Sequence, residues 1–93
     1  MRVILVYDIA TDEPSDQVRL SRVRKVTRRY LHSVQKSVFE GSITESRLEK
    51  LKRELLQILD RKRDSVIIYV LSDLSTYERH IITDAPDPTD NVL

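Results

Sequence analysis

Two short runs of aliphatic residues constrain this chain more than any other feature. In VILVYDIATDE, residues 3–13, four aliphatic residues give way to a tyrosine, an aspartate and a polar loop. Val3 to Val6 reads as a strand buried on both faces, because a helix this apolar would run longer and β-branched residues favour a pleat. The second run, SVIIYVL at residues 65–71, reads as another strand, apolar throughout and therefore central in its sheet. Both are too short to span a bilayer, and only Arg2 separates the first from the initiating methionine, so neither a signal peptide nor a membrane anchor is expected. Asp8 falls at the carboxyl end of its strand. That position either ends the strand by bonding the loop after it, or places the carboxylate at the sheet edge where ligands collect.

The residues between the two runs alternate helix, strands and helix. The segment TDEPSDQ, residues 11–17, carries Pro14 and Ser15 and reads as a loop and helix start with Ser15 or Asp16 as the cap, and the helix runs to about Tyr30 with Val23, Val26 and Tyr30 on one stripe. Arg22, Lys25 and Arg29 flank that stripe, while Arg24 and Arg28 lie outward. Arg19 projects onto the apolar stripe near the end of the first strand, where it needs an anionic partner: Asp8 or a bound phosphate. LHSVQKSVFEGSI, residues 31–43, reads as two short strands around a turn or bulge at Lys36 and Ser37. Thr44 caps a second helix, TESRLEKLKRELLQILD, whose Leu48, Leu51, Leu55, Ile58 and Leu59 form one buried face, with Glu49 and Arg53 paired on the surface. Tyr77 to Ile82 reads as one more strand. The order matches the α+β, ferredoxin-like βαββαβ arrangement over residues 1–82, followed by an acidic, proline-containing tail at 83–93. Two helices cover only one face of such a sheet, and dimerisation covers the other.

Composition removes several chemistries. The chain has no cysteine, which excludes disulfides, thiolate nucleophiles and cysteine-zinc sites and is compatible with a reducing cytoplasm. Gly41 is the only glycine, so there is no glycine-rich phosphate loop, and no serine sits in a nucleophile elbow. His32 and His80 are isolated in sequence and read as surface or hydrogen-bonded residues. A net charge of +1 conceals segregation: Arg19, Arg22, Arg24, Lys25, Arg28 and Arg29 share a segment without any acid, and Arg61, Lys62 and Arg63 follow downstream. Such a basic field either is a solvated helix face or binds a polyanion, and with few aromatics for stacking it suits a duplex backbone.

Four features in order resemble the small CRISPR-associated Cas two (Cas2) family: Tyr7-Asp8-Ile9 ending the first strand, RLSRVRK on the basic helix, VQKSVFEG at residues 34–41, and DSVIIY at residues 64–69. The resemblance implies a homodimer in which the two Asp8 carboxylates face each other at a magnesium or manganese site. It places Asp8, Tyr7, Arg19 and Phe39 in the catalytic set and Arg19, Arg22, Arg24, Lys25, Arg28 and Arg29 at nucleic acid. Two activities are implied for such proteins. One is metal-dependent cleavage of RNA or double-stranded DNA; the other is a non-catalytic scaffold holding duplex DNA for the Cas one integrase. A regulatory dimer without a nucleic-acid role is the third reading. Leu31 stands where many relatives carry glycine, implying a different turn after the first helix. The acidic tail after Ile82 leaves docking onto Cas one open.

Overall fold

Alternation along the first apolar run decides how the sheet is assembled. The computed structural model describes residues 1–72 and 77–84. In β1 (Arg2–Asp8), Val3, Leu5 and Tyr7 are buried, Ile4 and Val6 are half-buried, and Asp8 is exposed. Side chains two apart share a face, so one face of β1 lies under the helices and the other does not. The expectation of a strand buried on both faces is therefore corrected, because only one layer of helices exists to cover it.

The chain continues through α1 (Pro14–Arg28), β2 (His32–Gln35), β3 (Val38–Ser42), α2 (Glu45–Leu56) and β4 (Ser65–Leu71). The sheet order is β2-β3-β1-β4, with all neighbours antiparallel. This is the expected ferredoxin-like arrangement, but β4 lies at an edge and not at the centre. Only one side of it is covered: Val66 and Ile68 pack against the core, but Ile67 is 49% exposed and Tyr69 is 55% exposed. Ile67 faces Val6 and Tyr69 faces Ile4 in the register, so all four share the uncovered face.

Pro14 moves the start of α1 forward, since its fixed φ suits the first helical position. The N-cap is Glu13 and not Ser15 or Asp16; Asp16 instead accepts the Glu13 backbone N–H at 2.9 Å. Val23 and Val26 fill the core, as their spacing predicts, and the buried Thr27 hydroxyl donates to the Val23 carbonyl at 2.8 Å. The chain then leaves the helix without a left-handed residue, and Leu31 is buried, which accounts for the absence of glycine there. Gly41 faces it: a Cβ on Gly41 would stand 3.3 Å from Leu31 Cδ2, so the glycine makes room for the leucine.

The hairpin turns at Lys36 and Ser37 as expected, with a bulge between Ser33 and Gln35. Thr44 caps α2, accepting the Arg47 N–H at 3.3 Å, and Leu48, Leu51 and Leu55 are buried. The helix ends at Leu56, short of the expected Asp60, and Ile58 and Leu59 pack half-buried from the turn that follows. Glu49 pairs with Lys52 at 3.1 Å and not with Arg53.

Tyr77–Ile82 forms no strand, so the described sheet has four strands and lacks the additional one expected. Side chains anchor this segment instead. The Tyr77 hydroxyl accepts from Arg2 Nη2 at 2.8 Å and donates to Glu40 Oε2 at 3.0 Å, and Arg79 pairs with Glu40 Oε1 at 2.8 Å. Most of the acidic tail, from Ala85 onward, lies outside the described residues.

Phe39 is fully buried on the helix side of β3, opposite Leu5. Phe39→Ala should cost about 3–5 kcal/mol by leaving a cavity, whereas Phe39→Leu should cost about 1.5 kcal/mol or less. Urea unfolding of both variants checks this, with an unchanged denaturant slope expected.

Candidate metal and nucleic-acid site

Asp8 ends β1 on the uncovered face, opposite Ser65 at the start of β4. Its carboxylate is exposed and has no hydrogen bond or ion pair among the described residues. Tyr7 and Phe39 do not join it there. Period two sends Tyr7 to the opposite face, where it is buried, its hydroxyl donates to the Lys36 carbonyl at 2.8 Å, and its ring lies 5.7 Å from that of Phe39. Both aromatics belong to the core that supports β1, and neither reaches the surface that carries Asp8.

Arg19 also departs from expectation. Its partner is neither Asp8 nor an open phosphate position, because all three guanidinium nitrogens are engaged. Nε and Nη2 donate to Asp64 at 2.6 and 3.0 Å, and Nη1 donates to Asp16 at 2.8 Å. The Asp64 carboxylate is 1% exposed and accepts further from the backbone N–H groups of Ala10 at 3.0 Å and Asp60 at 2.9 Å. The Asp16 carboxylate is fully buried and also receives Arg63 at 2.7 and 3.0 Å. Arg63 reaches Asp12 and Asp60 as well, so it is removed from the basic field that its sequence neighbours suggested.

This network explains the charge state of its carboxylates. Asp16 is held well below the usual range, chiefly by Arg63 and then by the Glu13 N–H, against the desolvation that burial imposes. Asp64 is lowered as well, chiefly by Arg19, again against desolvation. Sequence reasoning missed both aspartates, although Asp16 stands three residues before Arg19, a spacing that brings two side chains together on a helix. Asp64 lies 45 positions away and no local spacing could have paired it.

The cations left over lie along α1. Arg22, Lys25 and Arg28 are exposed and Arg24 is half-buried, and none of these four has an ion pair among the described residues. Arg29 stands 3.8 Å from Glu54, a long contact that leaves it partly available. Arg61 and Lys62 are exposed at the turn before β4. Of the histidines, His32 is exposed and His80 Nε2 lies 3.0 Å from Glu78.

A hard cation needs several oxygen donors, and around Asp8 the described residues of one chain supply too few. Among the described residues no group of three or more Asp, Glu, His or Cys could hold a metal ion, and Asp8 stands as a single carboxylate with Ser65 across from it. A second copy of the chain would double that donor set. Among the described residues, Asp8 would therefore fit a magnesium or manganese ion only if a second copy added its own carboxylate.

The lowered carboxylates set an acid limit. Asp16 and Asp64 stay ionised in the fold while the unfolded chain takes up protons near pH 4, so their contribution is complete above about pH 5 and is lost as the pH falls further. The variant carrying Asp16→Asn and Asp64→Asn should be less stable at pH 7, and its urea midpoint should fall less steeply between pH 5 and 3 than that of the wild type.

The family model described as CRISPR associated protein Cas2 matches residues 1–79. A relative from Moorella thermoacetica named CRISPR-associated endoribonuclease Cas2 2 is 50% identical, covering 98% of this chain and all of its own length. One from Methanothermobacter thermautotrophicus, also named an endoribonuclease, is 37% identical over 98% of this chain and 93% of its own. The crystal structure of Streptococcus pyogenes Cas2 at pH 6.5 superposes with a TM-score of 0.71 at 40% identity, covering 77% of this chain and 87% of that one. With the strand order, the Tyr7-Asp8 strand end and these likenesses in agreement, the chain belongs to the CRISPR-associated Cas2 family.

Proposed function

We propose that two copies of the chain pair through the uncovered face of the sheet and act as a metal-dependent endonuclease on RNA. The observation that carries this reading is that Asp8, a carboxylate at the strand end with no ion pair among the described residues, shares its face with Ile4, Val6, Ile67 and Tyr69. The surface that most needs apolar cover is thus the surface that carries the candidate ligand. The relatives' names as endoribonucleases favour RNA over double-stranded DNA. Two Asp8 carboxylates would hold a magnesium or manganese ion, with substrate phosphate and water as further donors. Such an ion, when bound, supplies activated water and offsets charge on the phosphate undergoing attack. The chain's own part is to present Asp8 at the end of β1 and to bind the flanking phosphates through Arg22, Arg24, Lys25, Arg28 and Arg29.

Under this reading Asp8→Asn lowers metal-dependent cleavage of single-stranded RNA by at least 100-fold, because it removes one oxygen charge from each half of the site. Dimerisation, stability and duplex affinity stay near wild type. Cleavage assays with magnesium, manganese and chelator, on identically purified proteins, check this outcome. Equal activity of the two proteins would end the enzymatic reading.

A second reading is a dimeric scaffold that presents duplex DNA to the Cas one integrase. It is favoured by Arg22, Arg24, Lys25 and Arg28 on α1, which have no ion pair among the described residues, an arrangement suited to successive backbone phosphates. Replacing Arg22, Arg24 and Arg28 together by alanine should flatten the dependence of log affinity on log salt by about one unit for each phosphate the variant no longer neutralises. Fluorescence anisotropy across a salt series measures this. On the scaffold reading Asp8→Asn leaves both duplex binding and integration unchanged.

A further inference from the structure

We infer that Arg19 and Asp64 form a positioning pair for Asp8, in which Arg19 acts through Asp64 and does not engage phosphate. The inference rests on the proposed role of Asp8 and adds the residues that hold it in place. Asp8 and Ser65 form the last register pair between β1 and β4. Asp64 immediately precedes Ser65, and its Oδ1 accepts the N–H of Ala10, two residues beyond Asp8, at 3.0 Å. One carboxylate therefore ties the chain leaving β1 to the chain entering β4, on either side of the candidate ligand. Its other oxygen accepts the Asp60 N–H at 2.9 Å, which anchors the turn before β4 to the same point.

Arg19 holds that carboxylate in a two-point fork, Nε on Oδ2 and Nη2 on Oδ1, from the helix that follows β1. Its third nitrogen is bound to buried Asp16, and the side chain is only 14% exposed. A guanidinium committed in this way has little left with which to clamp a substrate. What it provides is rigidity: planar geometry matched to Asp64, which a lysine ammonium cannot reproduce. A carboxylate displaced by about 1 Å loses on the order of 100-fold in rate when the chemistry depends on its placement.

The test compares Arg19→Gln, Arg19→Lys, Asp64→Asn and the double variant Arg19→Gln with Asp64→Asn, all assayed well below their melting temperatures. Two readouts are taken: metal-dependent RNA cleavage, and hydrogen exchange at the Ala10 amide. The pair predicts a 10- to 100-fold loss in kcat in each single variant, with KM and salt dependence unchanged. It further predicts no added loss in the double variant, no rescue by lysine, and at least 10-fold faster exchange at Ala10. The inference is overturned if Arg19→Gln raises KM and flattens the salt dependence while Arg19→Lys and Asp64→Asn keep wild-type rates, which is the signature of a phosphate contact. It is overturned equally if Ala10 exchange does not change. Should the wild type itself show no metal-dependent cleavage, the proposed activity falls. The Ala10 exchange rates then decide the positioning pair by the same criterion.

Discussion

A single layer of helices on a four-stranded sheet is the constraint from which the remaining features follow. Two helices of this length cover one face, so Leu5, Tyr7 and Phe39 pack beneath them and form the core with Val23, Leu51 and Leu55. The opposite face keeps Ile67 and Tyr69 in solvent although their strand is as apolar as a buried one. The period of two along β1 divides neighbours between these environments. Tyr7 supports the core and Asp8, the next residue, stands on the open surface. Placing a carboxylate at a prospective interface while keeping its strand rigid requires no special backbone, only alternation.

The ends of β1 and β4 are held by charge and hydrogen bonding. No disulfide is available, and the loops and the first turns of α1 at this edge carry Asp12, Asp16, Asp60 and Asp64 together with Arg19 and Arg63. Buried ion pairs contribute little net stability compared with apolar packing, because desolvation offsets most of the attraction. Their value here is geometric. Each buried oxygen has donors on more than one element, so the loop after β1, the start of α1 and the turn before β4 share one arrangement. Loss of a single member leaves an uncompensated charge, which makes the arrangement nearly all-or-none.

The same pairing sorts the basic residues. A count of cations along the chain suggests one broad polyanion surface, but Arg19 and Arg63 are used internally and Arg2 and Arg79 meet Tyr77 and Glu40. Of the remaining cations on α1, Arg22, Arg24, Lys25 and Arg28 have no ion pair among the described residues. The arginines of one helix thereby divide between internal ion pairs and the exposed surface.

Much of this was readable from residue order alone. The periods of Val23 and Val26 and of Leu48, Leu51 and Leu55, the Thr44 cap, and the Lys36-Ser37 turn are local patterns, and local sterics and capping chemistry decide them wherever the chain goes. The alternation that exposes Asp8 is local too, as is the family likeness carried by VQKSVFEG. Tertiary structure alone decided that β4 is an edge, which face of β1 the helices cover, and that Arg19 belongs to Asp64. Those outcomes depend on which strand pairs with which and on a carboxylate 45 residues distant. An apolar run reports only that a surface avoids water. Whether a helix layer or a second chain covers it is set by the packed arrangement of the whole.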